Sequence, residues 1–215
     1  MAAGIPTRGG GARNHALQGR LNCYKGSMTI LLVRHGETAG NAARVVQRPE
    51  IPLNERGIRQ AAQLAERLIA HGFAHILCSD LPRARMTATP LAAHTEMVIE
   101  ETPLLQERNF GDLRGTPYAE LTEDPFAPDY VPPNGESVAV FHRRVAQAFE
   151  LIVERRRAIS GPLVVVTHGL VCSAIVKHHL QAGPLPALFA NTGLTIFDPA
   201  PPFVARLVNC TQHLA

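Results

Sequence analysis

The chain has 215 residues, 46% apolar and 18% charged, with a formal net charge of +3; that is long enough for one sizeable core, and its basic residues are too few and too scattered for a nucleic-acid surface. No run approaches the roughly 18 apolar residues of a membrane span, and Arg8, Arg13, Arg20 and Lys25 precede no continuous apolar stretch, so neither a membrane partner nor a secretory signal is expected. Cys23, Cys78, Cys172 and Cys210 lie far apart with no C-x-x-C, which predicts reduced thiols, a cytoplasmic location and no metal site or disulfide frame.

In chain order, residues 1–27, with the Gly-rich stretch Arg8–Arg13, read as a disordered N-terminal extension or leader ahead of a single domain over 28–215. Thr29–Val33 is a short β-branched apolar run, predicted to be a buried parallel strand. Pro52–Gly57 forms a turn, and Ile58, Ala61, Ala62, Leu64, Ala65, Leu68 and Ile69 recur at helical spacing from near Asn54 to His71-Gly72. His75–Cys78 is a second strand, Pro82–His94 a helix interrupted at Pro90, and Met97–Ile99 a third strand. Six prolines between Pro103 and Pro133 make 102–134 mostly loop, with one short helix near Tyr118–Leu121. Gly135-Glu136-Ser137 opens a long helix that stops at Ser160–Pro162, with Glu136 and Ser137 as its caps. Arg143, Arg144 and Arg155–Arg157 on or after that helix read as a solvated face. Leu163–Val166 is a strand and Gly169–Leu180 a helix; Gly193–Phe197 and Phe203–Val208 pair as a closing antiparallel hairpin.

Strands alternating with helices predict an α/β fold, a three-layer α/β/α sandwich whose central sheet is mostly parallel with an antiparallel edge. Ligands of such sheets sit beyond the carboxyl ends of the strands. Arg34-His35, Ser79–Arg83 and Thr167–Gly169 follow three of the predicted strands, so one rim gathers two histidines and two arginines. Arginine offers planar, permanently charged donors for phosphate oxygens. A neutral imidazole is a competent nucleophile. Phosphoryl transfer asks chiefly for positioning and charge stabilisation.

Leu32-Val-Arg-His-Gly-Glu-Thr38 resembles the L-x-R-H-G-E/Q-T/S signature of the histidine phosphatase superfamily, which includes the cofactor-dependent phosphoglycerate mutases. Further segments resemble that family in order: Asn41; Gln47, followed by Arg48 in place of the usual Gly; Pro52–Ala61; Ser79–Ala88, with Met86 for Gln; Leu105–Gly115, with Arg114 for the usual Glu; Asn134–Ser137; Val166–Gly169; and Asn209–Leu214. The resemblance spans about Thr29 to Leu214 and implies roles. His35 would be the nucleophile that becomes phosphohistidine, its other ring nitrogen donating to a backbone carbonyl. Arg34, Arg83 and His168 would bind the phosphoryl oxygens. Glu107 would enter protonated as general acid and then serve as base for water. Asn41 and Gln47 would line the substrate side. No cofactor and no metal are implied.

The resemblance implies a phosphatase acting on a small phosphorylated metabolite, with a homodimer left open. Two alternatives stand beside it: a phosphoglycerate mutase and a phosphoprotein phosphatase. Only residues 108–135 separate Glu107 from Glu136, shorter than the mutase insertion, and Glu107-Arg-Asn-Phe-Gly111 differs from the mutases' E-R-H-Y-G; Arg108 keeps the mutase open. Arg48 and Arg114 add positive charge where the pattern is loosest, a hint of a carboxylate or second phosphate on the substrate. His213 reads as structural, and the remaining histidines as surface or core residues.

Overall fold

The computed structural model describes residues 29–215; the expected extension over 1–27 lies outside them. Strand β1 (Ile30–Arg34) is buried on both sides, at Ile30, Leu31, Leu32 and Val33. A strand apolar on both faces belongs inside a sheet covered by two layers. Around it run α1 (Ala39–Ala42), α2 (Glu55–His71), β2 (His75–Ser79), α3 (Pro82–Thr95), β3 (Ile99–Thr102), α4 (Val138–Arg157), β4 (Leu163–Thr167), α5 (Gly169–His179), β5 (Leu194–Phe197) and β6 (Ala205–Cys210).

The six strands form one sheet in the order β3-β2-β4-β1-β5-β6. The β1–β4, β2–β4 and β2–β3 pairs are parallel, and β5 and β6 add the antiparallel edge. Successive side chains of each strand enter opposite layers. Leu31, Val33, Ile76, Val164 and Val166 pack against Leu64, Leu68, Ala84, Ala88 and Leu91 of α2 and α3. Ile30, Leu32, Leu77, Leu163 and Val165 pack against Phe141, Val145, Ile152, Val171 and Ile175 of α4 and α5. The result is the expected three-layer α/β/α sandwich.

Several local expectations shift. Helix α3 runs unbroken to Thr95 with Pro90 inside it. Its face of Arg83, Ala84, Thr87, Ala88 and Leu91 is buried, and that packing outweighs the one hydrogen bond proline removes. The hydroxyls of Thr87 and Thr89 donate to the carbonyls of Arg83 and Arg85, at 2.7 and 2.9 Å. Strand β3 begins at Ile99, not at Met97, because Glu96 closes the helix in the left-handed region at φ 54° and the exposed Val98 belongs to the turn. The hairpin's second strand is Ala205–Cys210, two residues later than the apolar run implies. Tyr118–Glu120 is a single 3₁₀ turn. Ser137 caps α4, its hydroxyl accepting from the Val140 N–H, whereas Glu136 turns to Arg144 and the Asn109 N–H. Arg144 and Arg156 therefore leave the expected solvated face: Arg144 is half-buried in hydrogen bonds and Arg156 is 1% exposed.

The sheet order fixes where a ligand can sit. From β1 the chain crosses over β4 to reach β2, and from β4 it crosses β1 to reach β5. Connections therefore diverge at the carboxyl ends of β1 and β4, the crevice such sheets use for binding. Arg34 is in register with Thr167 there, and the His35 N–H donates to the Thr167 carbonyl at 2.8 Å.

Candidate active site

His35 and His168 leave adjacent strands and are 1% and 0% exposed, with ring centroids 5.1 Å apart. His35 Nδ1 lies 2.7 Å from the Gly36 carbonyl. A carbonyl only accepts, so Nδ1 carries the ring proton and Nε2 keeps its lone pair. The His35 carbonyl accepts from Asn191 Nδ2 and the Thr192 N–H, at 3.0 and 3.3 Å. The Gly36 N–H donates to the Thr87 hydroxyl at 3.0 Å. The ring is thus held at Nδ1 and the backbone that carries it is held on either side.

His168 Nε2 lies 2.9 Å from Ser79 Oγ, which also accepts from the Leu81 N–H. Nε2 is the only acceptor within reach of the Ser79 hydrogen among the described residues, which assigns Ser79 as donor to Nε2 and the His168 proton to Nδ1. That buried nitrogen has no hydrogen-bond partner among the described residues, and neither has Nε of Arg34 or of Arg83. Unpaired buried donors cost free energy unless a ligand meets them. Burial first, and then the guanidinium charges of Arg34 and Arg83, hold His35 well below the usual imidazole range. Burial and the Arg83 charge do the same for His168. Both rings are neutral around physiological pH.

Arg34 gives Nη1 to the Phe189 carbonyl. Gly169, at the start of α5, lets it pass: a Cβ there would stand 3.3 Å from Arg34 Nε. Arg83 is 2% exposed and donates to the carbonyls of Arg48 and Pro49 at 3.3 and 3.2 Å. Burial lowers its guanidinium to about 10, so it stays charged at neutral pH.

Glu107 follows a 3₁₀ turn at Pro103–Leu105, whose last carbonyl accepts from the Thr167 hydroxyl at 2.7 Å. Its carboxylate accepts from the Arg108 N–H at 3.0 Å and the Leu170 N–H at 3.2 Å. The second bond places the acid at the otherwise uncapped N-terminus of α5.

Beside these groups is a cavity of about 440 Å³ lined by Arg34, Arg83 and Glu107, and by Asn41 and Gln47 on the side expected for substrate. Asn41 Oδ1 accepts from the Thr38 N–H and Asn191 Nδ2, and Gln47 Oε1 accepts from the Thr38 hydroxyl at 2.7 Å. Their amide N–H groups have no protein acceptor among the described residues. Phe110, Tyr118 and Phe126 form an aromatic wall, with Phe126 5.9 Å from each of the others. Arg34, Asn41, Gln47, Arg83 and Glu107 therefore line one cavity, while the buried rings of His35 and His168 lie behind Arg34 and Arg83 and are not among its lining residues. Sequence reasoning leaves out their supports: Asn191, which no pattern marks, Ser79, which stands at its strand exit without an assigned role, and Arg144.

Of the two basic departures, Arg114 lines the cavity and Arg48 does not. The Arg48 guanidinium lies on Gly115, its Nη2 3.0 Å from where a Cβ would stand, and the φ of +95° there favours glycine. Arg108 spends its guanidinium on the carbonyls of Pro125, Tyr130 and Glu136, at 2.9, 2.9 and 3.1 Å. His213 is structural, between Thr192 and Arg67.

A mixed sheet that gathers two neutral histidines, a buried and a half-buried arginine and a carboxylate at its switch point is the arrangement of an α/β enzyme with an anion-binding site. Residues 30–204 match the model of the histidine phosphatase superfamily, branch 1, and the chain belongs to that family. The chain is 36% identical over 160 residues to a Yersinia pestis protein named "Probable phosphoglycerate mutase GpmB", covering 70% of this chain and 74% of that one. A mycobacterial glucosyl-3-phosphoglycerate phosphatase superposes with a TM-score of 0.71 at 27% identity, over 83% of this chain and 96% of its own. An alpha-ribazole phosphatase of Shigella flexneri does so at 0.72 and 25%, over 85% and 96%. Family and relatives make the chain an enzyme of the phosphatase or mutase type. No helix among the described residues is long and apolar enough to cross a membrane.

Proposed function

We propose that the protein hydrolyses small phosphomonoesters through a phosphohistidine on His35. One observation carries the reading: His35 Nδ1 is committed to the Gly36 carbonyl, which leaves a neutral Nε2 for attack near the guanidiniums of Arg34 and Arg83. Nε2 forms a bond to phosphorus as the ester P–O bond breaks, and Glu107 gives its proton to the departing oxygen. Water then attacks the phosphohistidine, Glu107 takes back a proton, and the N–P bond breaks to release inorganic phosphate. Arg34, Arg83 and Nδ1–H of His168 hold the equatorial oxygens, where charge accumulates. Asn41 and Gln47 offer amide donors to the alcohol portion. The expected partner is a small phosphorylated metabolite, bound without nucleic acid or membrane, with a homodimer left open. The guanidiniums supply the charge stabilisation, so the reading assigns no work to a metal or cofactor.

The mutase reading draws support from the name of the Yersinia relative. Against it, Arg108, the residue shared with the mutase pattern, is spent on three backbone carbonyls. Assay of the full chain with a chelator present, over a panel of phosphate esters, compares wild type with His35→Ala. Activity that depends on His35 and survives chelation is expected; activity retained in His35→Ala, or restored only by metal, refutes the reading. Including 3-phosphoglycerate with 2,3-bisphosphoglycerate separates net hydrolysis from isomerisation.

A further inference from the structure

Arg114 occupies a place in the cavity that the phosphoryl chemistry does not use. Its backbone is fixed: its N–H donates to the Gly111 carbonyl at 3.2 Å, the next N–H, of Gly115, donates to the Val46 carbonyl at 2.7 Å, and Thr116 donates to Leu113 at 3.1 Å. The side chain lines the cavity, half-buried, without a hydrogen bond or ion pair to any described residue. Its charge bears on Arg83, whose protonated form it disfavours. Two like charges facing one cavity are unfavourable until anions enter it.

The charges of the cavity can be apportioned. Four arginines line it against one carboxylate, Glu107. Arg34 and Arg83 flank His35 and answer the two charges of a phosphate ester. Arg108 is bound to three carbonyls. Arg114 alone keeps a whole guanidinium for a ligand, and the wall of Phe110, Tyr118 and Phe126 offers no competing anion.

From this geometry we infer that Arg114 is a specificity residue for a second anionic group, and that the substrate is a phosphomonoester bearing a carboxylate or another phosphate on its alcohol portion. The inference rests on the phosphatase reading for the orientation of the ester, with its phosphate on Arg34 and Arg83. A guanidinium forks around a carboxylate or phosphate with two parallel hydrogen bonds, and a charged hydrogen bond of this kind is worth about a ten- to hundredfold change in affinity.

The test is calorimetric binding to the full chain carrying His35→Ala, which keeps esters intact. The probes are phenyl phosphate against 2-, 3- and 4-carboxyphenyl phosphate, propyl phosphate against propane-1,3-diyl bisphosphate, 3-phosphoglycerate, and inorganic phosphate. At least one doubly anionic ester should bind about tenfold or more tighter than its singly functional counterpart. Adding Arg114→Leu should abolish that advantage, Arg114→Glu should turn it into a penalty, and Arg114→Lys should restore part of it. The inference is overturned if no such advantage exists, if it persists in Arg114→Leu, or if Arg114→Leu loses inorganic phosphate in equal measure, which would place Arg114 in the phosphoryl cradle. If His35→Ala still hydrolyses the esters, the phosphatase reading falls, and the same comparison with the non-hydrolysable phosphonate analogues of these esters still decides the role of Arg114.

Discussion

The guanidinium of Arg144 reaches from the long helix to the segment that carries Glu107. It donates to the carbonyls of Leu104, Gln106 and Glu107, at 2.9, 2.7 and 3.3 Å. It also pairs with Glu136, whose carboxylate accepts from the Asn109 N–H at 2.8 Å. The backbone is therefore gripped on both sides of the acid, and Arg144 is a positioning residue for Glu107. Misplacing a catalytic group by an ångström costs about a hundredfold in rate. Arg144→Met should accordingly lower kcat/KM for an alkyl phosphate, whose leaving oxygen needs a proton, by about a hundredfold. It should cost far less with 2,4-dinitrophenyl phosphate, whose phenolate leaves unaided, and Glu107→Gln should show the same selectivity. Equal losses on both esters would assign Arg144 to folding alone. The sequence makes Glu107 legible through its motif, yet it presents Arg144 as one more basic residue on a helix. What separates Arg144 from the exposed Arg143 beside it is the path of the proline-rich segment, set by long-range contacts that no local pattern records.

At the scale of elements, helix α3 shows how far packing overrides local preference. Pro90 lacks the N–H that would close the turn onto the Met86 carbonyl, yet the helix continues to Thr95 because its opposite face is buried against the sheet. Pro90→Ala restores the bond at a half-exposed site and should stabilise the protein by about 1–3 kcal/mol. Urea unfolding measures this, and a destabilised variant would show that α3 needs the proline to pack. The strands are more legible. Leu163–Val166 and Ile30–Val33 are apolar on both faces, which central parallel strands require. β3 is harder to read, since Glu100 and Glu101 carry charge into an edge strand: Glu100 pairs with His75 and Arg155, at 2.8 Å each. The rim that gathers Arg34, Arg83 and His168 follows from the alternation of elements and the rule for parallel sheets. The order of strands, which sets His35 directly beside His168, follows from neither.

The whole molecule couples its catalytic chemistry to its stability. His35 and His168 are buried as neutral rings held well below the usual imidazole range, and burial with the nearby Arg67 charge brings His213 to about 4. Each regains an ordinary value near 6.5 on unfolding. Below about pH 6.5 the unfolded chain binds protons that the native state refuses, so native stability falls as the pH drops from 6.5 towards the folded values. Each buried histidine contributes up to about 1.4 kcal/mol per pH unit over that window. Unfolding free energies measured at intervals between pH 5 and 8 should be flat above 7 and decline below 6.5, with a shallower decline in His168→Gln; a flat curve through pH 5.5 would mean that the rings are not buried as neutral species.

Rapid quench of a single turnover, with the ester labelled on phosphorus, addresses the chemistry most directly. Label should appear on the protein within the first turnover, labile to acid and stable to base, on Nε2 of His35. It should be lost in His35→Ala together with phosphate release. Turnover without protein-bound label, or label on His168 in its place, would contradict the phosphohistidine mechanism and the role of His35.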